Sequence, residues 1–230
     1  MRQEQNILYK NLANIAIKNF AKRHLNAQYV PSKEEAIPKI LELIPEGVTV
    51  GAADSETLFQ IGIFPALEKR GKNEIIHPLM RQDDGYLVER KEKVDEMMRK
   101  ALLADVFVSG TNAITLDGKV VNIDGGGNRV APMIFGPRKV IIAAGANKIV
   151  KDVDEAIRRV KEICAPINAL RHGMEHHDTE FLDLPCAKAG VCIDCRNRQR
   201  ICNFTTIIEG ESHWSAGRMN IIIIGEALGI

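Results

Sequence analysis

The sequence predicts an α/β fold: a mostly parallel, open sheet with helices on both faces. Three observations predict it. The strand-like runs are short and apolar at successive positions instead of alternating, as in Val106-Phe107-Val108, Val140-Ile141-Ile142-Ala143-Ala144 and Ile221 to Ile224. Such strands are covered on both sides, which favours parallel pairing beneath helices. The runs alternate with segments of helical period, which implies right-handed crossovers. Finally, the runs close on glycine, at Gly51, Gly110, Gly145 and Gly225.

The elements follow in order. Leu8, Leu12, Ile15, Ala16 and Phe20 lie near helical spacing and predict an N-terminal helix. Ser32 followed by Glu35 is a capping-box pattern for a second helix, and Pro38 inside it predicts a kink or a late start. Gly47 to Gly51 and Glu74 to His77 read as strands, with Leu58 and Ile61 at helical spacing between them. Val94, Met97, Met98, Ala101 and Leu102 share one helical face. Ile114 to Asn122 has a strand–turn–strand look with Asp117-Gly118 at the turn. Val153, Ala156, Ile157, Val160, Ile163 and Cys164 form an uninterrupted helical stripe. With no internal repeat, the 230 residues read as one domain over 1–230, containing a cysteine-rich segment at 183–203.

Composition excludes several function classes. Lys and Arg number 31 against 30 Asp and Glu, so no basic excess marks a nucleic-acid binder. Aromatic residues are 5%, too few for a base-stacking platform. No apolar run approaches the roughly 18 residues of a membrane helix, and the polar start MRQEQNILYKN lacks a signal-peptide core. These features predict a cytoplasmic protein. The five cysteines then point to a metal or redox site more than to disulfides.

Ligands of open α/β sheets bind beyond the carboxyl ends of the strands, which selects three loops. The first, Gly51 to Thr57, offers Ser55 and Thr57 as anion donors, although capping by Asp54 or Ser55 explains the same composition. In the second, Ser109 to Ala113, Asn112 is placed to orient a ligand. The third runs through Asp124, Gly125, Gly126, Gly127, Asn128 and Arg129. Three glycines suit a sharp turn or close approach to a ligand; Arg129 is the candidate anion clamp and Asp124 the candidate general base. The bland alternative is a flexible turn with Arg129 in a structural ion pair. Together the loops predict a small anionic metabolite, a carboxylate or a phosphate, as ligand.

Cys186, Cys192, Cys195 and Cys202 are separated by five, two and six residues. Four thiolates around a C-x-x-C pair suit Zn²⁺ or an iron–sulfur cluster, although the spacing matches neither a standard zinc ribbon nor a ferredoxin run. Cys164 lies on its helix's apolar stripe and reads as core. His172 and His176 are four apart but lack the H-E-x-x-H pattern, so they read as solvated. Trp214 reads as a pocket lid or a loop anchor.

Ala104 to Ile114, Gly118 to Val130, Gly136 to Ile142 and Gly145 to Val150, in this order, resemble the LUD (lactate-utilisation) domain family. Cys192 to Cys202 and Gly225 to Gly229 resemble its subgroup with a cysteine-rich C-terminal segment. The resemblance implies a fold like glucosamine-6-phosphate deaminase, ribose-5-phosphate isomerase and the CoA-transferases. It also implies a role around lactate oxidation beside iron–sulfur redox proteins, and a homo-oligomer is compatible with such a fold. Sugar-phosphate isomerase chemistry is weakened because Asn112 stands where an Asp acid–base would be. CoA-transferase chemistry needs a nucleophilic Glu, and neither Glu209 nor Glu226 matches convincingly.

Overall fold

The computed structural model describes residues 3–230. The first half contains α1 (Gln3–Lys22), β1 (Asn26–Val30), α2 (Lys33–Leu43), β2 (Thr49–Ala52), α3 (Glu56–Ile61), α4 (Ile63–Arg70) and β3 (Glu74–Ile76). Then come α5 (Lys91–Ala101), β4 (Val106–Gly110), β5 (Ala113–Thr115), β6 (Val120–Asp124), α6 (Val130–Ile134), β7 (Lys139–Gly145) and β8 (Ile149–Val150). A long helical run follows, consisting of α7 (Val153–Arg159), a π-helical turn (Val160–Cys164) and α8 (Ala165–Glu175). The remaining elements are α9 (Pro185–Ala189), β9 (Phe204–Ile208) and β10 (Met219–Ile224).

Six strands form the main sheet in the order β1-β10-β7-β4-β2-β3, and every neighbouring pair is parallel. Both faces are covered, which is why the strands do not alternate. Val50, Ala52, Val108, Ile141, Ala143, Ile222 and Ile224 pack with Ile40 of α2, Leu58 of α3, and Ile63 and Leu67 of α4. The intervening residues Phe107, Val140, Ile142, Ala144, Ile221 and Ile223 pack with Ala13, Ala16 and Phe20 of α1.

The strand–turn–strand segment belongs to a second, smaller sheet, β8-β5-β6-β9. Its β5–β6 pair is antiparallel and turns at Gly118, whose φ is +83°. A Cβ there would lie 2.5 Å from the Asn19 carbonyl carbon, so both the turn and the contact with α1 require glycine.

Several expectations need correction. The anchoring face of α1 is Ala13, Ala16 and Phe20, while Leu8 and Ile15 are exposed. Ser32 does cap α2, its Oγ accepting from Glu35 N at 3.4 Å, and the helix runs through Pro38 without a break. β1 and β9 are strands that the pattern does not reveal: β1 lies at the edge of its sheet and reads Asn-Ala-Gln-Tyr-Val. The stripe on the long helical run is interrupted, because the π turn adds a residue and leaves Ile163 46% exposed. Trp214 is 86% exposed, its ring stacked on that of His213 with centroids 6.0 Å apart. Among the described residues no helix is long and apolar enough to cross a membrane.

Candidate functional site

Parallel strands deliver their carboxyl ends to one rim, and a cavity of about 420 Å³ opens there. All three expected loops reach it. Ser55 comes from the β2–α3 loop, Asn112 from the turn after β4, Asp124 from the end of β6, and Gly125, Gly126, Asn128 and Arg129 from the loop that follows it. The first two loops interlock: a Cβ on Gly110 would lie 2.4 Å from Ser55 Oγ. Gly127 and Thr57 do not line the cavity; Gly127 has φ +82° and its carbonyl accepts from Ala131 N at the start of α6. Ser55 acts as the cap of α3, its Oγ accepting from Leu58 N at 3.4 Å.

The glycine loop encloses a polar cluster closed on itself. Arg129 Nε donates to Asp124 Oδ1 at 3.3 Å, and Arg129 N donates to Asp124 Oδ2 at 3.2 Å. Arg129 Nη2 donates to Asn112 Oδ1 and to Ile123 O, both at 3.0 Å, and Nη1 donates to Asn122 Oδ1. Asn112 Oδ1 also accepts from Ile123 N at 3.0 Å. Arg129 and Asp124 side chains are only 14% and 11% exposed. The pair is therefore a buried ion pair supported by hydrogen bonds, and each charge is answered inside the protein.

At the floor lies Lys148, from the turn between β7 and β8, 4% exposed. Its Nζ donates to Thr57 Oγ1 at 2.8 Å and to Thr111 O at 3.0 Å, both neutral acceptors. No carboxylate pairs with it among the described residues. Burial, and then the positive charge of Arg159, pull its pKa down to about 7. Gly229 packs over this floor: its φ is +66°, and a Cβ would meet Thr57 Oγ1 at 2.3 Å and Lys148 Nζ at 2.8 Å. Cys164, buried as expected, also lines the cavity and accepts from Arg159 Nη1 at 2.7 Å.

The opposite wall carries Asp54, Glu56, Arg171 and His172. Arg171 bridges both carboxylates, with Nη2 at 2.9 Å from Asp54 Oδ2 and Nη1 at 3.1 Å from Glu56 Oε2. The histidines read as solvated are half-buried here. His172 Nδ1 lies 3.1 Å from Asp178 Oδ2, and burial lowers its pKa against that bond. Burial, helped by Arg171 and Arg81, brings His176 to about 4. Asp54 Oδ1 and His176 Nδ1 are buried with no hydrogen-bond partner among the described residues.

The cysteine-rich segment forms the third wall. Arg198, Arg200, Ile201, Cys202 and Asn203 line the cavity. Ile201 presses on the glycine loop, where a Cβ on Gly125 would lie 3.2 Å from its Cα. Asn203 N and Nδ2 donate to Asp124 O and Gly125 O at 2.8 and 3.0 Å. Cys186, Cys192 and Cys195 lie outside the cavity wall. Among the described residues, the group of three His, Cys, Asp or Glu side chains whose ligand atoms gather within 4.8 Å is Asp54, His172 and His176; no three of the cysteines do so. Glu209 pairs with Lys119 and Glu226 Oε1 accepts from Lys33 N; neither lines the cavity.

Sequence reasoning thus missed Lys148, His172 and His176. The His172–His176 spacing is visible in the sequence, but Asp54, which joins them, is more than a hundred residues away. No local signal separates Lys148 from a surface lysine.

Solved structures similar to the chain include a DUF162 family protein from Deinococcus radiodurans, at 13% identity and a TM-score of 0.47, covering 95% of this chain and 97% of that one. A translation initiation factor eIF-2B from Pyrococcus horikoshii OT3 matches at 17% identity and a TM-score of 0.35, over 54% of this chain and 50% of that one. Ribose 5 phosphate isomerase A from Neisseria gonorrhoeae matches at 18% identity and a TM-score of 0.33, over 61% and 65%. No curated protein matches. The family model described as LUD domain matches residues 13–224, nearly the whole chain, and the protein therefore belongs to the LUD domain family.

Proposed function

We propose that this LUD-domain protein binds a small organic anion, a carboxylate or a phosphate ester, in the strand-end cavity, in the setting of lactate utilisation. The observation that carries the reading is Lys148, a buried cation that, among the described residues, is held only by neutral oxygens. Buried charge is costly unless paired, so an anion entering the cavity supplies the missing partner. The surrounding charge has the same sense. Five basic residues line the cavity (Arg129, Lys148, Arg171, Arg198 and Arg200) against Asp54, Glu56 and Asp124. Arg129 pairs with Asp124, Arg171 with Asp54 and Glu56, and Arg200 with Asp194 and the carbonyls of Cys195 and Cys202, which leaves Lys148 at the floor and Arg198 toward solvent.

This reading reassigns roles. Arg129 and Asp124 hold the loop's shape, and Asn112 serves them. The proton-exchanging group near neutral pH is Lys148, whose pKa of about 7 lets it bind an anion as ammonium or accept a proton as amine. An anion favours the ammonium form, so binding above pH 7 takes up a proton. The cysteine-rich segment enters as a wall.

Calorimetry with lactate, pyruvate and ribose 5-phosphate, in two buffers of different ionisation enthalpy, tests this. At least one anion is expected to bind, with proton uptake at pH 8, and Lys148→Met is expected to weaken it at least tenfold while circular dichroism stays unchanged. Absence of binding by all three, or equal binding by the variant, overturns the reading.

A further inference from the structure

We propose that Asp54, His172 and His176 form a binding site for a divalent transition-metal ion of the zinc or cobalt type. This goes beyond the anion reading and does not depend on it. Each residue offers one ligand atom, and the three atoms lie within 4.8 Å of one another. His172 lies in the last turn of α8 and His176 is the residue that caps it, its N–H donating to His172 O at 3.2 Å, so the two side chains stay one turn apart on the same side. Their rings meet edge to face with centroids 4.8 Å apart. Asp54 approaches from the loop after β2.

The surroundings are built in the way that metal-ligating histidines require. His172 Nδ1 is held by Asp178 Oδ2, which Arg81 Nη2 fixes in turn at 3.2 Å. That leaves His172 Nε2 facing Asp54, 3.8 Å from Oδ2. A carboxylate behind a histidine is the usual way of fixing its tautomer and ring orientation toward a metal. Arg171 occupies Asp54 Oδ2, which leaves Oδ1 for a cation. Independently, Asp54 Oδ1 and His176 Nδ1 are buried without a hydrogen-bond partner among the described residues, and the Asp54 side chain is only 9% exposed. Buried polar atoms are rarely left unmatched.

Three carboxylates, of Asp54, Glu56 and Asp178, stand against the guanidinium groups of Arg81 and Arg171. The neighbourhood carries one net negative charge, so a cation is not repelled. Tetrahedral ligands about 2.1 Å from zinc sit roughly 3.4 Å apart, so closure needs side-chain shifts of about 1 Å. Two imidazoles and one carboxylate leave a fourth position open, as in sites whose metal also takes water or a ligand. Asp54 and His172 both line the cavity, so that position lies beside it.

The test is titration of the metal-free full chain with Co²⁺ and then Zn²⁺, read by visible absorption and by metal content. One equivalent is expected to bind with a nitrogen/oxygen-type spectrum lacking a thiolate charge-transfer band, which separates this site from the four half-buried cysteines of the cysteine-rich segment. His176→Ala and Asp54→Asn should each weaken it at least tenfold. Asp178→Asn, which only removes the positioning bond, should weaken it by about 10- to 100-fold. His177→Ala should change nothing, because His177 instead meets Asp84 O at 2.8 Å and stacks on Tyr86. The melting curve of each variant confirms folding. No bound Co²⁺, binding that is thiolate in character and lost in a Cys186→Ser/Cys195→Ser variant, or equal binding by His176→Ala and wild type overturns the proposal.

Discussion

Two polar clusters flank the same cavity and are built on opposite terms. Around Arg129, every acceptor that the guanidinium reaches is a protein group, and Asp124 is answered through both of its oxygens. Around Asp54, a carboxylate oxygen and a ring nitrogen are buried without hydrogen-bond partners among the described residues. The first cluster fixes the shape of a loop; the second retains unused binding capacity. Charged residues near a cavity thus divide by what they already hold, and the residues with something left to bind are the ones to examine.

The largest expected effect sharpens this contrast. Arg129→Ala leaves the Asp124 carboxylate buried without its guanidinium partner, and is expected to cost about 3–5 kcal/mol in urea unfolding, the loss typical of a broken buried pair. A loss below about 1 kcal/mol would show that the closed cluster is dispensable.

Lys148 comes next. Its pKa in the fold, about 7, lies below that of an unfolded lysine, 10.5. Between those values the unfolded chain binds more protons, so the lysine makes stability rise with pH from 7 to 10.5. Lys148→Met is expected to flatten that rise relative to wild type in denaturant titrations across the same range. Parallel curves for the two proteins would refute it.

His77 gives a smaller effect at the acid end. It stacks on Phe64 with centroids 4.3 Å apart, both ring nitrogens are without hydrogen-bond partners among the described residues, and burial lowers its pKa to about 4 against the opposing pull of Asp54. The lowered folded value makes stability full above 6.5 and progressively lost as pH falls toward 4. His77→Phe is expected to be less acid-sensitive than wild type, by on the order of 2 kcal/mol at pH 5. Equal acid sensitivity of the two proteins would count against it.

The smallest effect breaks the symmetry between the clusters. His176→Ala, despite its metal phenotype, is expected to shift stability by less than about 1 kcal/mol without metal, because it severs no side-chain hydrogen bond of the closed kind. A loss as large as that of Arg129→Ala would erase the distinction.

Much of this was legible in the sequence for a physical reason. β4, β7 and β10 are buried on both faces, so their apolar runs stand out, and the rule that ligands bind at strand ends then points to the rim where the cavity lies. β1 and β9 escaped because edge strands carry mixed residues. In the site, Asn112, Asp124 and Arg129 stood out as a polar loop, but whether they bind a ligand or one another depends on contacts between β4 and β6 that no spacing encodes. Lys148 and the Asp54–His172–His176 group escaped for the same reason: their chemistry comes from burial and from long-range approach.

The π turn at Val160–Cys164 sets the orientation of everything C-terminal to it in the long helical run. Each residue of an α-helix advances the azimuth by about 100°. Removing one residue from this turn would rotate Asn168, Arg171, His172 and His176 together away from the strand ends, while the apolar contacts of α7 stayed in place. A single-residue deletion there should leave a folded protein whose helix points its working side chains at the wrong neighbours. One irregular turn thus acts as the index mark that aligns the helix with the sheet.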